Sequence, residues 1–151
     1  TAGVDPRARR EFWDGIHALT DAGLTVLVST HYMDEAERCH AIAYMNEGVL
    51  LTRGSVRDVI AGSGLTTWIV DSEASAATLS ELARDLAARD GVEMVAPFGP
   101  SLHVSGLNRR ALEAAIAPYR AASELTWTEN SPSLEDVFIY LVGRGQGEAP
   151  P

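Results

Sequence analysis

The chain has 151 residues, of which 46% are hydrophobic, and carries a formal net charge of −9 at pH 7. This length and composition allow one or two domains with a sizeable core, while the acidic balance argues against a broad nucleic-acid-binding surface, which needs clustered Lys and Arg. The single cysteine, Cys39, excludes an intramolecular disulfide framework, and the apolar runs are too short to span a membrane.

A helix and then a buried strand are predicted at the start of the chain. Asp5 is a suitable N-cap and Pro6 a suitable first helical residue, so we expect a helix over residues 7–22 that stops at Gly23. The run LTVLVS, residues 24–29, is short, apolar and rich in β-branched residues, which is typical of a strand buried on both faces. A helix beside such a strand favours an α/β layer architecture.

A hairpin between two short helices is predicted next. The helices are expected over residues 33–39 and 55–61, and the strands over residues 41–45 and 49–53, on either side of the turn sequence NEG. Ser55 and Asp58 have the spacing of a capping box, which marks the start of the second helix. The sequence GSG at residues 62–64 is the clearest boundary in the chain, so we expect a first domain over residues 1–62.

After this boundary the pattern restarts and predicts an α+β domain over residues 63–143. Its strands and helices are expected in the order βαββαβ, at residues 65–71, 75–89, 92–97, 101–106, 109–121 and 124–129. This order matches a split-βαβ, ferredoxin-like plan. A final helix capped by Ser133 follows, and its apolar stripe is expected to be core with some contribution to a dimer: Leu134, Val137, Phe138 and Leu141. The tail, residues 144–151, is expected to be disordered.

Three stretches of the sequence resemble the ATP-binding subunits of ABC transporters. TAGVDPRARREFW, residues 1–13, resembles the segment that follows the Walker B carboxylates in that family. VLVSTHYMDEAERC, residues 26–39, resembles the next strand and the H-loop, and its STHYMDEAE is particularly similar to ABC-2 type exporters, including the multidrug and drug-resistance group. PSLEDVFIYLVG, residues 132–143, resembles the C-terminal signature of that group. Residues 65–130 match the family only as a variable accessory domain.

The resemblance implies roles for three residues. His31 would be the switch histidine, whose imidazole meets the terminal phosphate of ATP and orients the attacking water. Asp5 would be the D-loop aspartate at the interface of the ATPase dimer, and Gly3 would lie against the nucleotide. A side chain just beyond a strand faces the crevice in which open α/β sheets bind ligands. One donor to the γ-phosphate can matter greatly there, because phosphoryl transfer depends on positioning and electrostatics.

The same resemblance implies cofactors and partners for the intact protein. These are ATP and Mg²⁺, a second ATPase subunit in a homodimer or a tandem domain, and an integral membrane permease, with no nucleic acid. The expected location is cytoplasmic, at the inner face of the plasma membrane. We therefore expect the tail of a P-loop-type nucleotide-binding domain followed by the accessory domain.

The chain also departs from the complete family pattern. All 12 basic residues are Arg, so the chain cannot contain a Walker A loop, which needs a Lys against the nucleotide phosphates. The signature loop and the Walker B carboxylates precede Thr1 in the family as well. Because the sequence also begins with Thr rather than Met, we expect a C-terminal piece of an exporter ATPase. The intact protein would be an ATPase, whereas this piece alone would be inactive and bind no cofactor.

Other interpretations of the sequence remain open. Residues 63–143 could form a stand-alone ferredoxin-like ligand-binding or dimerisation module, with the ATPase-like motifs incidental. A small enzyme built on His31 and neighbouring carboxylates is disfavoured, because no nucleophile, base and orienting residue form a recognisable set. A metal site is not predicted either, since CxxC and HExxH spacings are lacking among the mixed ligand types His31, Asp34, Glu35, Cys39 and His40.

Some side chains have two reasonable roles. Asp5 can cap the first helix and still act as a D-loop aspartate. The basic cluster at the start of this helix is either a solvated surface or a contact to a partner subunit or phosphate: Arg7, Arg9 and Arg10. Trp68 and Trp127 fall in two predicted strands, where core packing is favoured over a platform for a hydrophobic substrate.

Overall fold

The computed structural model describes residues 5–72 and 76–145. The chain forms two compact units, residues 1–38 and residues 39–151. The first contains helices α1 (Pro6–Asp21) and α2 (Met33–Ala36). In the described parts, no helix is both long and apolar enough to cross a membrane.

Helix α1 begins and ends where its local sequence signals predict. The Asp5 side chain accepts hydrogen bonds from the backbone N–H groups of Arg7 and Ala8, and Pro6 occupies the first turn. Gly23 follows the helix with a φ of 89°, a left-handed conformation that favours glycine. The prediction of this helix is confirmed.

The strand predicted over residues 24–29 is wrong for this chain. The segment has no regular secondary structure, and Leu24 and Leu27 are 56% and 97% exposed. A strand exists only where its backbone N–H and C=O groups pair with a neighbouring strand, and among the described residues no strand pairs with this segment. The apolar composition of segment 24–29 predicted a buried strand, but composition alone does not show whether a neighbouring strand is present to pair with it.

The second unit begins with an antiparallel hairpin and a short helix. Strands β1 (Ile42–Asn46) and β2 (Val49–Gly54) are joined by Glu47 and Gly48, whose positive φ angles of 49° and 81° are those of a two-residue type I′ turn. Helix α3 (Val56–Gly62) follows. Its cap is the predicted one, because Ser55 Oγ accepts from the backbone N–H of Asp58 at 3.1 Å.

A four-stranded sheet organises the rest of the second unit. Its strands are β3 (Thr66–Ser72), β4 (Met94–Phe98), β5 (Ser101–Gly106) and β6 (Leu125–Asn130), in the spatial order β4-β5-β3-β6. Its helices are α4 (Ala76–Ala87) and α5 (Arg109–Ile116), the latter extended by a 3₁₀ turn at Ala117–Tyr119. All neighbouring strands are antiparallel. The fold of the described residues is thus mixed α and β with antiparallel sheets.

One face of this sheet packs against α4 and α5 and holds the main core. The fully or nearly buried members of this core are Trp68, Val70, Leu79, Leu82, Leu86, Leu102, Val104, Leu112 and Ile116. Trp127 is partly buried and packs against the same cluster. The prediction that Trp68 and Trp127 serve core packing is confirmed.

Helix α6 (Leu134–Gly145) packs on the opposite face of the sheet. His103 alternates with Leu102 and Val104 along β5, so it points away from α4 and α5, and there its Nδ1 lies 2.8 Å from Oδ1 of Asp136 in α6. Of the predicted apolar stripe, three residues are buried, which confirms their core role: Leu134, Val137 and Phe138. The Phe138 ring also stacks on Tyr44 of β1, with ring centroids 3.9 Å apart.

A surface ion-pair group links α5 to β6. Arg109 donates to Glu113 at 3.0 Å and to Glu129 at 2.7 Å. The hydrogen bond to Glu113 and the charges of both carboxylates raise the pKa of Arg109 above its usual value. Because that value is already far above neutrality, Arg109 stays charged at any pH at which the domain is used.

Candidate functional site

The first predicted site residues lie around the start of α1. Asp5 is exposed, and both of its capping bonds go to the same carboxylate oxygen, with Oδ1 2.8 Å from the Arg7 nitrogen and 3.1 Å from the Ala8 nitrogen. The capping role of Asp5 is therefore confirmed, and its role at a dimer interface stays a prediction. Gly3 lies outside the described residues.

His31 lies on the surface of the first unit, between the irregular apolar segment and helix α2. Its side chain is exposed, and its ring packs on the ring of Tyr32 with a centroid distance of 4.2 Å and an interplanar angle of 35°. Tyr32 is also the N-cap residue of α2, and its backbone oxygen accepts from the N–H groups of Glu35 and Ala36. The imidazole is thus exposed while one of its neighbours, the Tyr32 ring, packs against it.

The residues on either side of His31 are fixed by one buried carboxylate. The hydroxyl of Thr30 donates to Oε2 of Glu35 at 2.6 Å and accepts from the backbone N–H of Tyr32 at 3.1 Å. Glu35 is 1% exposed. The Thr30 hydroxyl thus closes the turn that carries His31, because it accepts from Tyr32 and donates to Glu35.

Arg9 lies beside the same group of residues. Its guanidinium forms ion pairs with Asp34 and Glu35, each with a nitrogen–oxygen distance of 3.7 Å, and its central carbon lies 5.2 Å from the centroid of the Tyr32 ring. Arg7, by contrast, pairs with exposed Glu11 at 2.9 Å. The basic cluster therefore divides into an outward-facing Arg7 and an Arg9 that contacts the turn after His31.

Sequence reasoning missed the contacts of Arg9 and Glu35. Glu35 has the sequence context of an ordinary acidic residue in the first turn of a helix, where the dipole favours it. Arg9 lies on another helix, 26 positions earlier in the sequence. The only available signal was the position of Arg9 near the N-terminus of α1, where a cation is unfavourable and so needs another reason to be present.

Two of the alternative interpretations, a metal site and a small enzyme, can be compared with the arrangement of the described side chains. Within residues 5–72 and 76–145, no group of three or more His, Cys, Asp or Glu side chains is arranged to hold a metal ion. Ser133, Asp136 and His103 form a group that resembles a nucleophile set, but there the Ser133 hydroxyl donates to the carboxylate at 2.8 Å. Asp136 lies between the other two residues, so the group is a helix cap joined to a strand histidine.

Comparison with known proteins identifies relatives over nearly the whole chain, although no protein-family model matches it. The chain is 32% identical to the probable multidrug ABC transporter ATP-binding protein YbhF of Escherichia coli, over 98% of this chain and 25% of that protein. It is 31% identical to the Nod factor export ATP-binding protein I of Burkholderia thailandensis, over 95% of this chain and 45% of that protein.

A third relative is the daunorubicin/doxorubicin resistance ATP-binding protein DrrA of Streptomyces peucetius, 31% identical over 95% of this chain and 44% of that protein. The chain thus spans from a quarter to less than half the length of these relatives. Over about 95% of its own length, the chain is homologous to ABC transporter ATP-binding proteins, including multidrug and drug-resistance exporters, which confirms the resemblance inferred from its motifs.

Proposed function

We propose that the chain is the C-terminal part of the ATP-binding subunit of an ABC-2 type exporter, in which ATP binding and hydrolysis drive export through a separate membrane permease. The observation that carries the proposal is the placement of His31. Its exposed imidazole follows an apolar segment and precedes an acidic helix, and Thr30 and Tyr32 on either side of it are tied into one turn. The homologous proteins are named as ATP-binding proteins of such transporters, which supports the same function.

In this proposal His31 is the residue of the chain that acts on the nucleotide. ATP, with Mg²⁺, supplies the phosphoanhydride bond that is hydrolysed. The imidazole N–H donates to the terminal phosphate and orients the attacking water, a role suited to an exposed ring because no packed side chain has to move first. Asp5 belongs to the interface with the second ATPase subunit, and the chain by itself is inactive.

The decisive experiment replaces His31 in the full-length protein that contains this chain. His31→Ala is expected to lower ATP hydrolysis by about 100-fold or more, the usual effect of removing one donor to the transition state. ATP binding, measured with a fluorescent nucleotide, should stay within a few-fold of wild type. The matched control is His40→Ala, because His40 is also exposed. Hydrolysis at the wild-type rate in the His31 variant would refute the proposed role.

We further propose that residues 63–143 form a ferredoxin-like accessory domain that dimerises or regulates the ATPase, and that residues 1–62 complete the nucleotide-binding domain. The element order βαββαβ and the antiparallel strand order β4-β5-β3-β6 support the ferredoxin-like arrangement. The proposed division is functional and differs from the division into compact units, which falls after Arg38. Trp68 and Trp127 pack in the core, which favours a structural role over a platform for drugs.

We also propose the partners and the cellular location of the full-length protein. The permease is the membrane-spanning partner, and the second ATPase subunit is either an identical chain or a tandem domain. The location that follows is the cytoplasmic face of the plasma membrane. Co-purification of the full-length protein with membrane fractions in the presence of its permease, and its release in a strain lacking the permease, is the expected result.

A further inference from the structure

We infer that Arg9 and Glu35 are positioning residues that hold His31 in place for its action on the nucleotide. The inference rests on the proposed function of His31 and extends it to two residues that the motif comparison does not assign. Neither residue touches the nucleotide in this account. Both act through Thr30 and Tyr32, the immediate neighbours of His31.

The first set of contacts connects Glu35 to the residues before and after His31. Oε2 of Glu35 accepts the Thr30 hydroxyl at 2.6 Å, and the same hydroxyl oxygen accepts the Tyr32 N–H at 3.1 Å. The residues before and after His31 are thereby bonded to each other and to Glu35. His31 cannot shift along the chain direction unless at least one of these bonds is broken.

The second set of contacts connects Arg9 to His31 through the ring of Tyr32. The Arg9 guanidinium lies over the Tyr32 ring at 5.2 Å, and the Tyr32 ring packs on the His31 imidazole at 4.2 Å. Arg9 also pairs with Oε1 of Glu35 at 3.7 Å. One cation therefore contacts both the carboxylate that fixes the backbone and the aromatic ring that limits the orientation of His31.

The burial of Glu35 indicates that this arrangement serves geometry more than stability. Glu35 is 1% exposed, and taking a carboxylate out of water is costly even when it is paired. An apolar residue of similar size in its place is commonly neutral or stabilising. What an apolar residue cannot do is accept the Thr30 hydroxyl and pair with Arg9, and catalytic groups need support of this kind to stay within about 0.5 Å of their working position.

The test uses conservative variants in the full-length ATPase. Arg9→Lys keeps the charge but loses the planar group over Tyr32, and Thr30→Val keeps the shape but loses the hydroxyl. Each is expected to lower kcat by about 10- to 100-fold with little change in the KM for ATP, because a displacement of about 1 Å can cost 100-fold. Thr30→Ser, which restores the hydroxyl, should recover most of the activity. Arg7→Lys is the matched control, since Arg7 lies two positions before Arg9 on the same helix and pairs with exposed Glu11.

Double variants separate positioning from a general structural effect. In a His31→Ala background, Arg9→Lys and Thr30→Val should lower kcat by less than 2-fold further, because the residue that they position is gone. An additive loss would overturn the inference. So would wild-type kcat in both single variants when His31→Ala is inactive, and that result would leave the proposed function intact. Wild-type activity of His31→Ala itself would instead refute the proposed function.

A readout independent of activity uses the present chain. The imidazole proton resonances of His31 report the stacking of Tyr32, so Arg9→Lys and Thr30→Val should shift them while Arg7→Lys leaves them in place. Unchanged His31 resonances in both variants would overturn the inference whatever the ATPase assay gives. Thr30→Val leaves the Arg9–Glu35 ion pair in place, so the measurement remains valid if the Arg9 variant folds poorly.

Discussion

Two glycines show how the effect of an added methyl group depends on local conformation. Gly91 has a φ of 86°, and a Cβ placed on it would lie 2.6 Å from Cβ of Ala111 and 2.8 Å from its backbone carbon. Gly15 lies within helix α1, and apart from its chain neighbours and the adjacent backbone of that helix, no atom of the described residues lies within 4 Å of such a Cβ. The same substitution should therefore have opposite effects at the two sites.

We expect Gly91→Ala to destabilise the chain by about 2–4 kcal/mol, the sum of a left-handed backbone penalty and overpacking against α5. Gly15→Ala should stabilise it by about 0.5–1 kcal/mol, because alanine loses less conformational entropy than glycine in a helix. Urea denaturation of the two variants measures both values. A neutral Gly91→Ala would show that α5 can move away from Gly91 at little cost.

At the scale of elements, α6 depends on one buried carboxylate. Asp136 is fully buried, and its Oδ2 accepts from both the backbone N–H and the hydroxyl of Ser133, at 2.7 and 2.8 Å. Its Oδ1 lies 2.8 Å from Nδ1 of His103 on β5. The same side chain thus closes the capping box of α6 and connects the helix to the sheet.

Asp136→Ala is expected to destabilise the chain by about 2–4 kcal/mol, because it removes the cap and leaves the partly buried groups of Ser133 and His103 without this acceptor. Glu135→Ala is the control, since Glu135 is in the same turn but exposed, and it should change stability by less than about 0.5 kcal/mol. Thermal unfolding followed by circular dichroism compares the two. Equal effects would mean that charge in the first turn, rather than the bonds of Asp136, holds α6.

Elements with local signals were predictable from the sequence, and elements that depend on distant partners were not. Helix α1 follows from Asp5, Pro6 and Gly23, because caps act within a few residues. Segment 24–29 has the composition of a strand but no neighbour to pair with among the described residues. The same distinction applies to the candidate site, where the motif singles out His31 but cannot show that Arg9, 22 positions earlier, contacts the turn beside it.

At the scale of the whole molecule, the exposure of segment 24–29 is unexpected for a segment of such apolar composition. Leu27 is 97% exposed, yet the alternation-free run LTVLVS is typical of a strand with both faces covered. The homologous proteins are from about two to four times as long as this chain, since it covers only 25–45% of them. We expect that in the full-length protein this segment pairs with strands of the nucleotide-binding domain and becomes buried.

Leu27→Asp tests that expectation because its effect should depend on chain length. In the present chain the substitution should change stability by less than about 0.5 kcal/mol, since the side chain is already in water. In the full-length protein it would place an unpaired carboxylate in the core of a sheet, which costs several kcal/mol and should abolish soluble expression and ATP binding. Leu27→Ile, which keeps an apolar side chain of the same size, should be tolerated in both. If Leu27→Asp were equally harmless in both chains, segment 24–29 would not be a buried strand of the full-length protein, and His31 would not follow the end of a strand there.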